Sequence, residues 1–181
     1  FAFSMFYIFL GLPIARLADR GSRKWVITIG VLFWSLMTCL CGITRSFSTL
    51  FVARAGVGIG EAALSPPAYS LLSDYFSEGN LPKAVAVYTL GITIGGGLAY
   101  IIGGGVYEYF TQYGALTLPL VGELRPWQST FFIVGLPGFL LVLMLSLMAE
   151  PPRRGALPQE AGGYSVAEVK AHLRLHWQAY G

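Results

Sequence analysis

Three long stretches of this chain contain no Asp, Glu, Lys or Arg: Trp25–Thr44, Ala84–Tyr107 and Ser129–Ala149. Each runs roughly 20 residues or a little more, which as an α-helix covers the ~30 Å hydrocarbon core of a bilayer. Lipid offers no water to bond the backbone, so only helices or a closed barrel persist there. The runs are continuously apolar rather than alternating, which excludes barrel strands and predicts helices. Overall composition agrees, because 55% hydrophobic with only 12% charged residues cannot coat a soluble domain of 181 residues.

Two further spans flank or interrupt these runs. The opening segment Phe1–Leu12 is apolar, with neither a basic n-region nor a small-residue cleavage site, and reads as the end of a helix rather than a signal peptide. The segment from Ser48 to Tyr75 is a span carrying Arg54, Glu61 and Pro66-Pro67. The expected fold is therefore an all-α polytopic bundle with spans at 1–14, 25–44, 48–75, 83–107 and 129–149. Residues 150–181 follow as a loop.

Charge placement orients the bundle. Arg16, Arg20, Arg23, Lys24, Lys83, Arg153, Arg154, Lys170 and Arg174 fall on one side in alternating order, Arg45 and Arg125 on the other, and Arg54 in the membrane. Nine basic residues against two of the 12 in all is a positive-inside pattern, placing loops 16–24, 76–82 and 150–181 in the cytoplasm. A net charge of +3 distributed this way argues for topology and against a nucleic-acid partner. The expected location is integral to the plasma membrane, the inner membrane in a bacterium.

The loop begins with a Pro- and Gly-rich linker at 150–163. Ser165 and Glu168 then form a capping box, and Val166, Val169, Leu173, Trp177 and Tyr180 make one apolar stripe of an amphipathic surface helix at 165–180. Glu168, His172 and His176 have metal-capable spacing but no further ligand, so they read as a solvated face. Cys39 and Cys41 read as small packed residues. No cofactor or metal is expected.

Arg54 and Glu61 are the residues most informative about function. A charge at mid-membrane costs at least ~2.5 kcal/mol and marks a functional site by default. At about 100° per residue, Arg54, Gly58, Glu61 and Ser65 fall within one stripe of a helix, which must face a cavity or a partner. Gly56-Val57-Gly58-Ile59-Gly60 does not fit a dinucleotide loop, because its third glycine comes one position early and no βαβ pattern surrounds it. Gly56 and Gly60 instead suit close helix packing, and Gly91, Gly95–Gly97 and Gly103–Gly105 repeat the theme. At the cytoplasmic turn, Asp19 sits amid Arg16, Arg20, Arg23 and Lys24, the setting for an ion-pair network closed by Asp74.

At these residues the chain resembles the major facilitator superfamily. Ala15-Arg16-Leu17-Ala18-Asp19-Arg20-Gly21-Ser22-Arg23-Lys24 is similar to its Gly-x-Leu-Ala-Asp-Arg-x-Gly-Arg-Lys loop signature, with Ala15 and Ser22 in place of glycines. Arg54-x-Gly56-x-Gly58-x-Gly60-Glu61-Ala62 resembles the fourth-helix motif in the form of the spinster branch, and Phe131-x-x-x-Gly135-x-Pro137-Gly138 the start of its sixth helix. The resemblance implies a twelve-helix fold in two halves, of which this chain holds helices two to six and the central loop. It further implies that Asp19, Arg20, Arg23 and Lys24 stabilise one conformer across the two halves. It implies alternating-access transport of lipid-like amphiphiles such as sphingoid phosphates or lysophospholipids, with Glu61 protonated beside Arg54.

The expected function is thus a secondary transporter, its expected substrates being lipid-like or organic-anion solutes moved together with protons. A substrate site of Arg54, Glu61, Gly58 and Ser65 and a gating network of Asp19, Arg20, Arg23, Lys24 and Asp74 are expected to serve it. A non-transporting membrane receptor is the alternative. A lipid-modifying membrane enzyme is weaker still, since the spans hold no histidine, metal cluster or activated nucleophile and no catalytic residue is assigned.

Overall fold

The computed structural model describes residues 2–153 together with 174 and 175. Seven helices follow in order: α1 (Ala2–Arg20), α2 (Arg23–Cys41), α3 (Phe47–Glu61), α4 (Ser65–Tyr75), α5 (Leu81–Tyr113), α6 (Pro126–Gly135) and α7 (Pro137–Leu147). Among the described residues, four segments are long and apolar enough to cross a membrane: Arg23–Cys41, Phe47–Tyr75, Leu81–Tyr113 and Pro126–Leu147. Most of the linker and of the amphipathic helix expected at 165–180, with His172 and His176, lies outside the described residues, which include only 150–153 of the linker and a helical Arg174-Leu175.

Local chemistry sets the helix ends. Ser22 caps α2 by accepting from the Trp25 backbone N–H at 3.2 Å, and Ser46 and Thr49 form a reciprocal capping box on α3. Prolines divide two of the spans. Pro66 and Pro67 lie in the first turn of α4, and neither can donate to the preceding turn, so the span breaks between Glu61 and Ser65. Pro137 likewise separates α6 from α7 at Leu136.

The core is organised around α2. Ile27 and Val31 of α2 pack with Leu71 of α4, walled by Val142 and Leu145 of α7. Cys41 packs with Ala53 and Val57 of α3, walled by Phe3 and Phe131. Glycines allow these crossings. A Cβ on Gly60 would sit 2.7 Å from the Trp34 backbone nitrogen, and one on Gly30 would sit 2.8 Å from the Gly60 carbonyl oxygen. Gly56 presses on Met37 in the same α2–α3 seam, and Gly135 admits the Cys39 sulfur. Backbone cannot yield as a side-chain tip can, so Gly60→Ala should destabilise the full-length protein by about 1–3 kcal/mol. Thermal unfolding in detergent reads this directly, and an unchanged midpoint would contradict the seam.

The glycines of α5 behave differently. Gly91, Gly95–Gly97 and Gly103–Gly105 meet nothing within 4 Å, so the close packing expected there is not made within the described residues. At 33 residues, α5 is about 50 Å long and outreaches the hydrocarbon core. Beyond it, Thr117–Leu118 and Gly122–Glu123 pair antiparallel as a small hairpin, β1 and β2, which the sequence did not predict.

Candidate functional site

Two charged constellations stand out, one within the spans and one at a helix end. Within the spans, Arg54 lies half-buried on α3 between aromatic faces, its guanidinium carbon 5.9 Å from the Phe3 ring centroid and 5.7 Å from that of Phe131. Arg54 therefore bridges α1, α3 and α6 through cation–π contacts. Glu61, also half-buried, is the last residue of α3. Among the described residues no carboxylate is ion-paired with Arg54, and Glu61 forms no ion pair.

The break after Glu61 adds a polar backbone. Ala63 and Leu64 donate to Gly60 and Glu61 in tightened turns, each at 3.1 Å. The carbonyls of Ala62 and Ala63 lose the helical donors that residues 66 and 67 would supply, because both are proline. Ser65 opens α4 and faces the Tyr88 hydroxyl of α5, whose ring meets Tyr69 edge-on at 5.2 Å. Gly58 takes a different place from the cavity-lining one expected. It is buried against the Phe3 backbone of α1, where any Cβ would collide. Its part is to seat α1, which carries Phe3 to Arg54.

The second constellation lies where α2 begins. Arg23 is 2% exposed and pairs with the buried Asp74 of α4. Its Nη1 also donates to the Ser70 carbonyl at 3.2 Å and the Ser70 hydroxyl at 3.0 Å. Its Nη2 donates to the Pro151 carbonyl at 3.3 Å and its Nε to Glu150 at 3.4 Å. Glu150 further accepts from the Ser22 hydroxyl and, at 2.8 Å, from the Arg23 backbone N–H. Lys24 Nζ donates to the carbonyls of Ser146 and Met148, at 3.0 and 2.9 Å, where the end of α7 leaves acceptors unmet. The Tyr75 hydroxyl donates to the Ala149 carbonyl. One cluster thus fastens α2, α4 and the end of α7.

Of the expected network, Arg23, Lys24 and Asp74 come together, and Asp19 and Arg20 lie at the end of α1 with exposed side chains. Glu150, Ser22 and Ser70 were missed by the sequence reading. Glu150 looked like the first residue of a linker, and Ser22 like a glycine replaced. The available signal was that Glu150 is an acid ending a long uncharged run.

Burial alone pushes the Glu150 carboxyl up. The hydrogen bonds from Ser22 and Arg23, with the guanidinium charge, outweigh this and hold it below the usual glutamate range. A depressed carboxyl stabilises the fold above the unfolded value of about 4.3 and loses that contribution as pH falls through the lower folded value. The unfolding midpoint of the full-length protein should therefore exceed that of Glu150→Gln by a constant margin between pH 8 and 6. The margin should close below about pH 4. A margin independent of pH throughout would contradict the assignment.

Comparison with known proteins places this geometry. Residues 1–180 match the family model described as Major Facilitator Superfamily. Protein spinster of Drosophila melanogaster is 31% identical over 161 residues, covering 87% of this chain and 24% of that protein. A bacterial homolog to the human lysosomal transporter Spinster, crystallised inward-facing and unoccupied, superposes with a TM-score of 0.76 at 33% identity. That match covers 98% of this chain and 40% of the other. The inward-facing, occupied crystal structure gives a TM-score of 0.74 at 37% identity over 87% of this chain and 37% of that one. The chain spans about a quarter of the length of the fly relative.

Proposed function

The chain belongs to the Major Facilitator Superfamily, in its spinster-like branch, and forms part of an integral membrane protein; from that premise we propose that the whole protein is a secondary transporter working by alternating access. In this reading, a proton-linked cycle moves an amphiphilic lipid-like or organic-anion solute. The observation that carries it is the presence of an intramembrane cation and an intramembrane acid on one helix that breaks immediately after the acid. Broken membrane helices line solute pathways because unmet carbonyls are tolerated only beside water or protein.

Each residue has a distinct part. Arg54, held by two aromatic faces and lacking a carboxylate partner among the described residues, attracts the anionic group of the solute. Phe3 and Phe131 offer its apolar portion a surface. Glu61 takes up and releases the proton, and Ser65 supplies a hydroxyl across the break. Arg23, Asp74 and Glu150, with Lys24, latch the cytoplasmic end, and Arg20 lies exposed beside them, where the other half can pair with it. Loops 16–24 and 76–82 and the tail lie in the cytoplasm by the distribution of basic residues.

The same observations favour an organic-anion solute as the second reading, since a guanidinium between aromatic rings suits a carboxylate as well as a phosphate. The test is uptake and efflux by the full-length protein in proteoliposomes, with lysophospholipids and organic anions as separate solutes. The expected result is accumulation of one class that depends on an imposed pH difference. Equal uptake of every solute with and without protein would overturn the reading.

A further inference from the structure

At the end of the bundle opposite the Arg23 cluster, the short connection from α2 to α3 lies between two adjoining cavities. The first, about 410 Å³, is lined by Arg45, Phe47, Glu123, Arg125 and Trp127 together with Thr44. The second, about 670 Å³, is an apolar groove between α2 and α3, formed by Met37, Leu40, Ile43 and Val52 and again reached by Thr44 and Arg45. Thr44 and Arg45 line both, so a polar chamber opens onto an apolar groove at a single guanidinium.

The chamber carries two cations against one acid. Neither Arg45 nor Arg125 is ion-paired with a carboxylate among the described residues, where the ion pairs are those of Arg23. One Arg45 donor is used on the Val121 carbonyl of the hairpin connection, leaving the others for a ligand, since arginine has five. Gln128, 6% exposed, ties the walls together by donating to the Thr44 carbonyl at 2.6 Å and accepting from the Arg125 backbone N–H at 2.8 Å. The chamber is thus braced without occupying the Arg125 guanidinium. Trp127 sits beside it, as aromatic residues do at the headgroup level. The groove runs toward the bilayer interior, with Leu40 and Val52 exposed along it.

We propose that this is a binding site for an anionic phospholipid of the bilayer, its phosphate held by Arg45 and Arg125 and one acyl chain lying in the α2–α3 groove. The argument is charge complementarity joined to an apolar channel at the depth a lipid chain occupies. The phosphate end lies apart from Arg54 and Glu61, Arg54 being roughly 12 Å further along α3 from Ser46, and Val52 in the groove sits about 200° around the helix from Arg54. It does not rest on the transport reading.

The test titrates the full-length protein in mild detergent with phosphatidylglycerol, phosphatidylcholine of the same chains and chain-free glycerol phosphate, counting bound molecules by native mass spectrometry. The expected result is one tight phosphatidylglycerol, preferred over phosphatidylcholine and far tighter than glycerol phosphate. Arg125→Gln and Arg45→Gln should each weaken it about fivefold. Val52→Trp, which fills the groove, should weaken the lipid without changing glycerol phosphate binding. Arg125→Gln leaves the Arg45–Val121 bond in place and keeps the test decisive if Arg45→Gln releases the hairpin. Undiminished phosphatidylglycerol binding by Arg125→Gln would overturn the proposal, as would equal binding of phosphatidylcholine. Equally tight glycerol phosphate would make this a free-anion site and overturn it too.

Discussion

Replacing Asp74 by alanine will destabilise the folded protein by about 3–5 kcal/mol, because it strands a guanidinium already removed from water. Arg23 is 2% exposed, and its remaining partners after the change are the Ser70 oxygens, the Pro151 carbonyl and a more distant Glu150 carboxylate. Neutral acceptors offset only part of the desolvation of a full charge. The double replacement Arg23→Met/Asp74→Leu should recover most of the loss, since a well-packed apolar pair costs nothing to bury. The two outcomes separate an ion pair that stabilises outright from one retained to specify a conformer. In the second case the double variant folds well but exchanges solute slowly, because a bias of a few kcal/mol shifts a two-state population tenfold or more. Denaturant unfolding of the full-length protein in detergent measures the first quantity and solute exchange the second. An Asp74→Ala variant within 1 kcal/mol of the native protein would show that Arg23 is not held as described.

Much of the bundle was legible because lipid imposes one demand on every residue it touches. The uncharged runs beginning at Trp25, Ala84 and Ser129 fall on α2, α5 and the α6–α7 pair, the first and last overrunning the helix end by about three residues or fewer. The proline pair after Ser65 lay inside a span read as continuous from Ser48 to Tyr75, and its two missing donors break the helix there. What local sequence could not supply was the identity of neighbours. Gly60 and Gly103 carry the same local signal, yet the first is pressed on Trp34 and the second faces open space. Gly58 falls on the stripe with Arg54 and Glu61, but α1 covers it. Glu150 lies 127 residues from Arg23, and no periodicity reports a contact across that interval. The hairpin at Thr117–Glu123 was hidden for a different reason. Its strands are two residues each, too short for an alternating pattern to emerge. The motif Phe131-x-x-x-Gly135-x-Pro137-Gly138 was visible as a pattern, while its physical content was not. Phe131 faces Arg54, Gly135 and Gly138 make room for α2, and Pro137 divides the span.

The second large effect concerns Glu61. A carboxyl group at the end of a broken membrane helix, on the same helix as Arg54, changes its proton affinity whenever the distance between the two charges changes. In the proposed cycle, a rearrangement transmitted from α1 or α6 through Phe3 or Phe131 to Arg54 would alter proton binding at Glu61, and proton binding would alter the rearrangement in return. Glu61→Gln keeps the shape and removes the titration. On that proposal, the full-length variant should still exchange solute down a gradient, at a rate within about threefold of native, because binding and alternation do not require net proton movement.

The most direct measurement places the native protein and Glu61→Gln in proteoliposomes and follows one solute in two modes, exchange at equal pH and accumulation under an imposed pH difference. The account predicts that both proteins exchange, while only the native protein concentrates solute against its gradient. A Glu61→Gln protein that still concentrates solute in response to the pH difference would contradict the assignment of Glu61 as the coupling residue.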